Sequence, residues 1–201
     1  PEGDYYHTLF VESQAPPLIE GISSSRNKMA LGANILVTVT EKGNLDLNGK
    51  IVYFDLLPRF KTKIFGHTLN IFDSSDKIPL IFTLENMGKN KFMPQGEIIL
   101  KGNLGEQAIY DIIPENILVN SQRLITATPS AGLNINRPVS LVLSGFFLGY
   151  YQLSANVRLG VNTKLLSAHT GFLALPIKFF LALLFVLVIT LILIKKNSSS
   201  S

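Results

Sequence analysis

The sequence contains no cysteine and no tryptophan among its 201 residues, and only 16% of its residues are charged. Without cysteine the chain has no disulfide, no thiol nucleophile and no Cys-ligated zinc site, so the fold depends on core packing. No N-x-[ST] acceptor precedes the apolar run near the C-terminus, so glycosylation gives no evidence about the compartment. These absences exclude thiol catalysis, structural zinc held by cysteine and a redox role.

Motifs of catalytic chemistry are also missing. His7, His67 and His169 are far apart, and none is in an H-x-x-x-H or H-E-x-x-H context. The serines lack a G-x-S-x-G elbow, and the glycines form no phosphate-binding loop. Asp73 and Asp76 lack the spacing of a calcium loop, so a solvated turn is the favoured interpretation. We therefore expect a protein that is not an enzyme and that has no cofactor and no metal site.

Positive charge is concentrated at the C-terminal end. Lys178, Lys195 and Lys196 flank or enter the apolar run, and the other 15 Lys and Arg residues nearly balance 14 Asp and Glu. No basic stripe runs through the chain, so a nucleic-acid partner is not expected. One basic cluster with an aromatic residue lies at 59–63. A solvated strand edge or loop is favoured there over contact with an anionic wall polymer or headgroup.

A long apolar run lies near the C-terminus. Phe179 to Ile194 carries no charge, but these 16 residues of helix span about 24 Å, short of a hydrocarbon core of about 30 Å. Counting from Phe172 gives 23 residues, with Pro176 suited to the first turn and Lys178 able to snorkel toward headgroups. The sequence therefore predicts a transmembrane helix over 172–194 that anchors the protein in a lipid bilayer.

Two other interpretations of this run are less favoured. A buried core helix would not be expected to end a chain with a pair of lysines. A covalent wall anchor would need the Thr-Gly of an LPxTG motif, which the segment 175–179 lacks. Lys195 and Lys196 follow the run directly, and the positive-inside rule places this end in the cytoplasm. We therefore predict a single-pass cell-membrane protein with a cytoplasmic tail at 195–201 and an extracytoplasmic N-terminal part.

The region before the anchor contains short strand-like runs with turn signals between them, and no stretch sustains a helical period over three turns. In one run Tyr151, Leu153 and Ala155 alternate with polar residues, which is typical of a half-buried strand. Eight or nine such strands favour an all-β fold, a β-sandwich of immunoglobulin-like type followed by one transmembrane helix. The runs are 34–40, 51–54, 68–72, 78–84, 96–101, 107–113, 123–127, 139–147 and 150–159.

The N-terminal segment suggests a second unit. Gly3 to Tyr6 leads into an apolar strand, and a similar Gly-x-Tyr sequence precedes the strand at 150–159. The similarity predicts that residues 1–12 complete a preceding β-sandwich whose other strands are not in this chain. We expect a polar linker at 13–29, which contains two adjacent prolines and three adjacent serines, and one immunoglobulin-like domain at 30–168.

One segment carries a family resemblance. The sequence NMGKNKFMPQGEI at 86–98, with the further segments 102–105, 116–123 and 149–151, resembles the WxL-interacting group of bacterial surface proteins. These have tandem immunoglobulin-like domains and a C-terminal membrane anchor, and the resemblance is to their membrane-proximal domain. This sequence departs from the group at Asn120, because a proline is usual before Ser121. The group's N-terminal domain, which is linked to peptidoglycan binding, is nearly absent from this sequence.

The matching positions have physical interpretations. Asn86 and Gly88 suit a turn with positive φ, Pro94 suits the start of an edge strand, and Gly96 allows close backbone approach. Arg123, Gly149 and Tyr150 are the other matching positions to which we assign a structural role.

The resemblance implies a cell-surface binding or scaffolding module that docks a surface protein or a cell-wall polymer. A membrane-tethered, chaperone-like assembly factor that uses an exposed sheet edge stays open as the alternative.

Overall fold

The computed structural model describes residues 1–14, 28–58, 60–64, 67–130, 138–161 and 163–198. Within them the chain is built of β-strands and one C-terminal helix, α1, at Ile177–Ser198. The strands are β1 Gly3–Glu12, β2 Ala30–Val39, β3 Gly49–Leu56, β4 Phe60–Ile64, β5 His67–Asp73, β6 Ile78–Asn86, β7 Gln95–Gly102, β8 Gln107–Ile112, β9 Gln122–Leu124, β10 Ala127–Thr128, β11 Leu141–Leu143, β12 Gly149–Arg158 and β13 Leu166–Leu175. The predicted all-β fold with one apolar helix is confirmed.

The strands form three sheets in the described part of the chain. A seven-stranded sheet has the order β10-β8-β7-β12-β13-β5-β4, and a four-stranded sheet has the order β11-β6-β3 with β9 also paired to β6. The pairs are antiparallel except for β13 and β5, which run parallel. The remaining sheet contains β1 and β2 alone. We call the first two sheets the body and the β1–β2 sheet the ribbon.

The body encloses one hydrophobic core. The alternation predicted for 150–159 is present, because Tyr151, Leu153, Ala155 and Val157 are buried and their neighbours face outward. Both sheets contribute apolar side chains to the same buried cluster. Full burial of each Leu or Phe contributes about 1.5–3 kcal/mol, so this cluster is the main favourable term in folding the body. Because the chain has no cysteine, the body is stabilised by core packing and not by disulfides.

The apolar helix begins later than the sequence predicts. Phe172 is not part of the apolar helix. It lies in β13, has no exposed surface, and stacks on Tyr151 with ring centroids 5.2 Å apart. Phe172 and Ala174 point into the core at alternate positions of a strand, and hydropathy alone could not separate that strand from the helix that follows. The stretch Ile177–Lys195 has a mean hydropathy of 3.0 and is long and apolar enough to cross a membrane.

The predicted domain boundaries also change. The body runs from β3 to β13, so it begins at Gly49 and ends at Leu175, whereas 30–168 was expected. The segment 30–39 forms β2 and pairs with β1 instead of joining the body. Most of the predicted linker, 15–27, lies outside the described residues. The basic cluster at 59–63 coincides with β4, an edge strand of the seven-stranded sheet, although Arg59 and the side chain of Lys63 lie outside the description.

The two ends of the body are defined by strand direction. Strand β13 reaches Leu175 directly before the helix, and β12 begins beside it, with Gly149 opposite Ala174. Strand β12 therefore ends, at Arg158, away from the helix. Strand β6 begins two residues after Asp76, which pairs with Lys178 of the helix, and it ends at Asn86. We call the end near α1 the helix end and the opposite end the far end.

Candidate functional site

The ribbon has two chemically different faces. Strands β1 and β2 pair in register over ten residues, from Gly3 opposite Val39 to Glu12 opposite Ala30. Residues directly opposite each other in an antiparallel pair share a face, and successive residues alternate between faces. The odd-numbered residues of both strands therefore lie on one face and the even-numbered residues on the other.

The odd-numbered face, here called the apolar face, carries no Lys, Arg, Asp or Glu. Its exposed large side chains include Leu9 (58% exposed), Leu31 (74%) and Ile35 (47%). The face consists of Tyr5, His7, Leu9, Val11, Leu31, Ala33, Ile35, Val37 and Val39. A two-stranded sheet is marginally stable in water unless a third strand or another element packs against it. An uncharged apolar face of this extent is typical of a surface that another protein covers.

The even-numbered face, here called the anchored face, is tied to the far end of the body through Asp4. Its carboxylate accepts a hydrogen bond from the Lys91 backbone N–H, one from the Asn90 side-chain amide (3.2 Å) and one from the Thr38 hydroxyl (2.7 Å). Burial acts to raise the pKa of Asp4, but the hydrogen bonds from Thr38, Lys91 and Asn90 outweigh it and hold the pKa below its ordinary value. Asn90 also accepts a hydrogen bond from the Asp46 backbone N–H, at 2.9 Å.

A second attachment uses Tyr6, whose hydroxyl oxygen accepts a hydrogen bond from the Val119 backbone N–H at 3.3 Å. A groove of about 390 Å³ lies between the ribbon and the body. It is lined by Tyr6, His7, Thr8, Asn34, Ile35, Leu36, Asn116, Leu118 and Arg123. Arg123 forms an ion pair with Glu115 and donates a hydrogen bond to the Asn116 carbonyl at 3.0 Å. The ribbon is thus attached to the body through Asp4 and Tyr6 of the anchored face, while Leu9 and Leu31 of the apolar face are exposed.

The family-like segment lies where the ribbon attaches, but its roles differ from those expected. Asn86 is buried (1% exposed), and its amide donates hydrogen bonds to the carbonyls of Asn90 (2.9 Å) and Ile117 (3.0 Å). Neither Asn86 nor Gly88 has a positive φ, so the predicted left-handed turn is wrong. A Cβ on Gly88 would lie 2.3 Å from the Asp46 carbonyl oxygen, so close packing of two loops requires glycine there.

The other family-like positions are spread over both ends of the seven-stranded sheet. Pro94 is buried and precedes β7, which lies inside that sheet, so the predicted edge strand is wrong. A Cβ on Gly96 would lie 2.0 Å from the Asn156 carbonyl oxygen on the neighbouring strand. Gly149 begins β12 with a φ of 91°, and Tyr150 beside it is 47% exposed. These residues shape the fold. Two family-like segments meet the ribbon: 86–91 through Asn90 and Lys91, and 116–123 through Val119.

The residues predicted to form or flank the membrane anchor are placed as follows. Pro176 separates β13 from α1, and Lys178 lies in the first helical turn, where it pairs with Asp76 and Asp73 instead of lying free. Phe179 and Ile194 are exposed on the helix, and Lys195 ends the apolar stretch. The side chain of Lys196 lies outside the description. Asp73 is only 8% exposed, so the interpretation of this turn as solvated is wrong. Its partner Lys178 is 105 residues later, and no local pattern indicated the contact.

Two further clefts lie in the body, and the first is lined by Asp55 and His169 among others. Asp55 on β3 accepts hydrogen bonds from Lys61 (2.9 Å), Asn70 (3.2 Å) and Thr170 (2.9 Å), and so ties the two sheets together. Burial acts to raise the pKa of Asp55, but these hydrogen bonds and one from the Leu56 N–H lower it overall. His169 contacts the Ser154 hydroxyl, at 2.9 Å. A cleft at the far end is lined by Gln95, Gly96, Glu97, Asp111, Asn156, Arg158, Gly160, Val161 and Leu165.

Among the described residues, no group of three or more His, Asp or Glu side chains is placed to hold a metal ion.

Comparisons with known proteins give little. No family model matches the sequence, and no curated protein matches it. Among solved structures, the chain is similar to the Pseudomonas fluorescens alkylpurine DNA glycosylase AlkC, bound to DNA containing an abasic site analog, at 13% identity and a TM-score of 0.41. The similarity covers 63% of this chain and 30% of that one, so the chain spans less than a third of the glycosylase. At this level the likeness carries no argument about fold or function.

Proposed function

We propose that the protein is a membrane-anchored, extracytoplasmic binding module that docks a surface protein on the apolar face of the ribbon. In this proposal the body is an immunoglobulin-like sandwich, α1 spans the cell membrane with its C-terminus in the cytoplasm, and the protein is not an enzyme. The observation that carries the proposal is the apolar face itself, which runs along two ten-residue strands and contains no Lys, Arg, Asp or Glu.

The position of the ribbon supports docking away from the bilayer. The ribbon attaches through Asp4 and Tyr6 to loops near Asn90 and Val119, at the far end of the body. Helix α1 leaves the body at the opposite end, after Leu175. A face that served only to touch lipid would be expected at the helix end. The far-end attachment favours a partner that approaches from outside the membrane.

The chemistry of the face favours a protein partner over a wall polymer or a nucleic acid. Polysaccharides, teichoic-type polymers and nucleic acids are bound through hydrogen-bonding and charged groups, and the apolar face offers almost none. Among the described residues, each strand of the ribbon has the other as its one hydrogen-bonded neighbour, so its second edge pairs with no described strand. A partner that presents an apolar sheet face or an extended strand fits both features, since added strands bind through backbone hydrogen bonds.

Two adjacent substitutions test this proposal. Leu9→Glu places a carboxylate on the apolar face, and Phe10→Glu places the same group one residue further, on the anchored face. Both side chains are well exposed, at 58% and 68%, so neither change disturbs the core. In pull-downs from detergent-solubilised envelopes, we expect Leu9→Glu to lose a stoichiometric partner protein at least tenfold, because burying an unpaired carboxylate costs several kcal/mol. Phe10→Glu should retain it.

The same pull-down distinguishes a docking module from the alternative, a chaperone-like assembly factor. A stable partner of fixed stoichiometry supports docking, whereas transient capture of many unfolded clients supports a chaperone-like role. Equal partner recovery from Leu9→Glu and from the unmodified protein would refute the ribbon as the docking face. Catalytic turnover that a single Asp or His substitution abolishes would refute both binding roles.

A further inference from the structure

The helix end of the body holds the first turn of α1 through a set of side-chain contacts. Only Pro176 separates the last residue of β13 from the first residue of the helix. Strand β13 is a central strand, with β12 on one side and β5 on the other. The helix therefore continues directly from a buried part of the fold, without a linker between them.

Helix α1 has no N-terminal cap in its own sequence. Pro176 has no side-chain oxygen, and the first turn contains no acidic residue. The exposed N–H groups of a first turn need partners, and side-chain oxygens are the common ones. Here the partner comes from the turn after β5, where the Asp73 carboxylate accepts a hydrogen bond from the Lys178 backbone N–H at 2.9 Å.

The same carboxylate is held from its own side. Asp73 accepts hydrogen bonds from the Ser75 N–H (3.1 Å) and the Ser75 hydroxyl (2.7 Å). The Lys178 ammonium then closes the arrangement with contacts to Asp76 at 2.6 Å and to Asp73 at 3.3 Å. The Ser74 N–H donates to the Leu175 carbonyl at 2.9 Å, so backbone also joins the two segments. We call Asp73, Ser74, Ser75, Asp76 and Lys178 the collar.

We propose that the collar fixes the angle between the body and α1, so that the body is held at one orientation on the bilayer instead of swinging on its anchor. Three independent restraints act on a connection one residue long: a backbone hydrogen bond, a cap on the helix and an ion pair. An acidic group at a helix N-terminus is also favoured by the helix dipole. This inference is independent of what binds the ribbon.

Distance distributions between two spin labels test the collar in the full-length protein. The chain has no cysteine, so Gln152→Cys and Ile194→Cys provide the only two labels. Gln152 is an exposed position in the middle of β12, and Ile194 is exposed near the end of α1. In phospholipid nanodiscs we expect one narrow distance distribution. Asp73→Asn combined with Lys178→Met should broaden it several-fold, because the cap is weakened and the ion pair is lost.

A matched control uses an ion pair far from the collar. Lys50 pairs with Glu85 at 2.9 Å near the far end, and Lys50→Met should leave the distribution unchanged. Lys178→Met alone keeps the body sequence intact, so it remains informative if the double variant folds poorly, and it should broaden the distribution to a smaller degree. A broad distribution in the unmodified protein, or equal widths in the collar and control variants, would overturn the proposal.

Discussion

At the scale of single residues, buried polar side chains organise the far end of the body. Asn86 is 1% exposed and satisfies two backbone carbonyls, those of Asn90 and Ile117, in neighbouring loops. Its Oδ1 accepts a hydrogen bond from the Gly88 N–H at 2.9 Å, so all of its polar atoms are used locally. These loops carry Asn90 and Lys91, which hold Asp4 of the ribbon. The buried Asn86 amide thus stabilises the loops that bind the ribbon.

Replacing the Asn86 amide should destabilise the folded protein. Asn86→Ala removes the amide donor to the carbonyls of Asn90 and Ile117 and the acceptor of the Gly88 N–H. We expect it to lower the free energy of unfolding by about 1–3 kcal/mol, because buried polar groups lose a partner. Asn44→Ala is the matched control, because Asn44 is exposed and its change should stay within about 0.5 kcal/mol. Urea unfolding of both variants in the same detergent, followed by circular dichroism, measures the difference. Equal effects of the two substitutions would show that Asn86 has no special role.

The hydrogen bonds of Asp73 in the collar predict that part of the folding stability is lost at low pH. Hydrogen bonds from the Lys178 N–H and from Ser75 hold the pKa of Asp73 well below its ordinary value, although desolvation opposes them. A group with a depressed folded-state pKa contributes stability above its unfolded pKa, about 4, and loses that contribution as pH falls toward the folded value. Asp73→Asn should therefore lower the melting temperature at pH 6–8, and the deficit should shrink below about pH 4.

Comparing Asp73→Asn with the unmodified protein separates the contribution of Asp73 to the pH dependence of stability from that of other acidic residues. Asp4 and Asp55 also have lowered pKa values, so the unmodified protein will lose stability in acid for several reasons. Only the difference between Asp73→Asn and the unmodified protein reports on the collar. A deficit in melting temperature that is constant from pH 7 to pH 3 would contradict the account.

At the scale of elements, the sequence predicts best where a local pattern matches local geometry. The alternation of β12 and the apolar positions of β6 follow directly from the period of a half-buried strand. Strand β13 was missed because its inward residues, Phe172 and Ala174, adjoin an apolar helix. The pairing of β1 with β2 and the contact of Asp73 with Lys178 join distant parts of the chain, and no local pattern specifies such partners.

At the scale of the whole molecule, the body separates two structurally different ends. The helix end joins α1 through the collar, and the far end carries the ribbon on the loops around Asn90. Short alternating runs with turn signals predicted the all-β fold, and one long uncharged run predicted the apolar helix. The predicted membership in the WxL-interacting group, the cytoplasmic C-terminus and the preceding β-sandwich stay predictions. A face without charge on a two-stranded sheet, at the end away from the helix, is the feature that a partner would cover.

Site-specific photocrosslinking in the native membrane tests the central claim most directly. A photoreactive amino acid at Ile35 would lie on the apolar face, and one at Glu97 would lie on the half-exposed outer surface of β7 as the control. We expect irradiation to join a discrete partner protein to position 35 and to give no such adduct at position 97. Absence of an adduct at position 35, or equal adducts at both positions, would contradict a docking role for the ribbon.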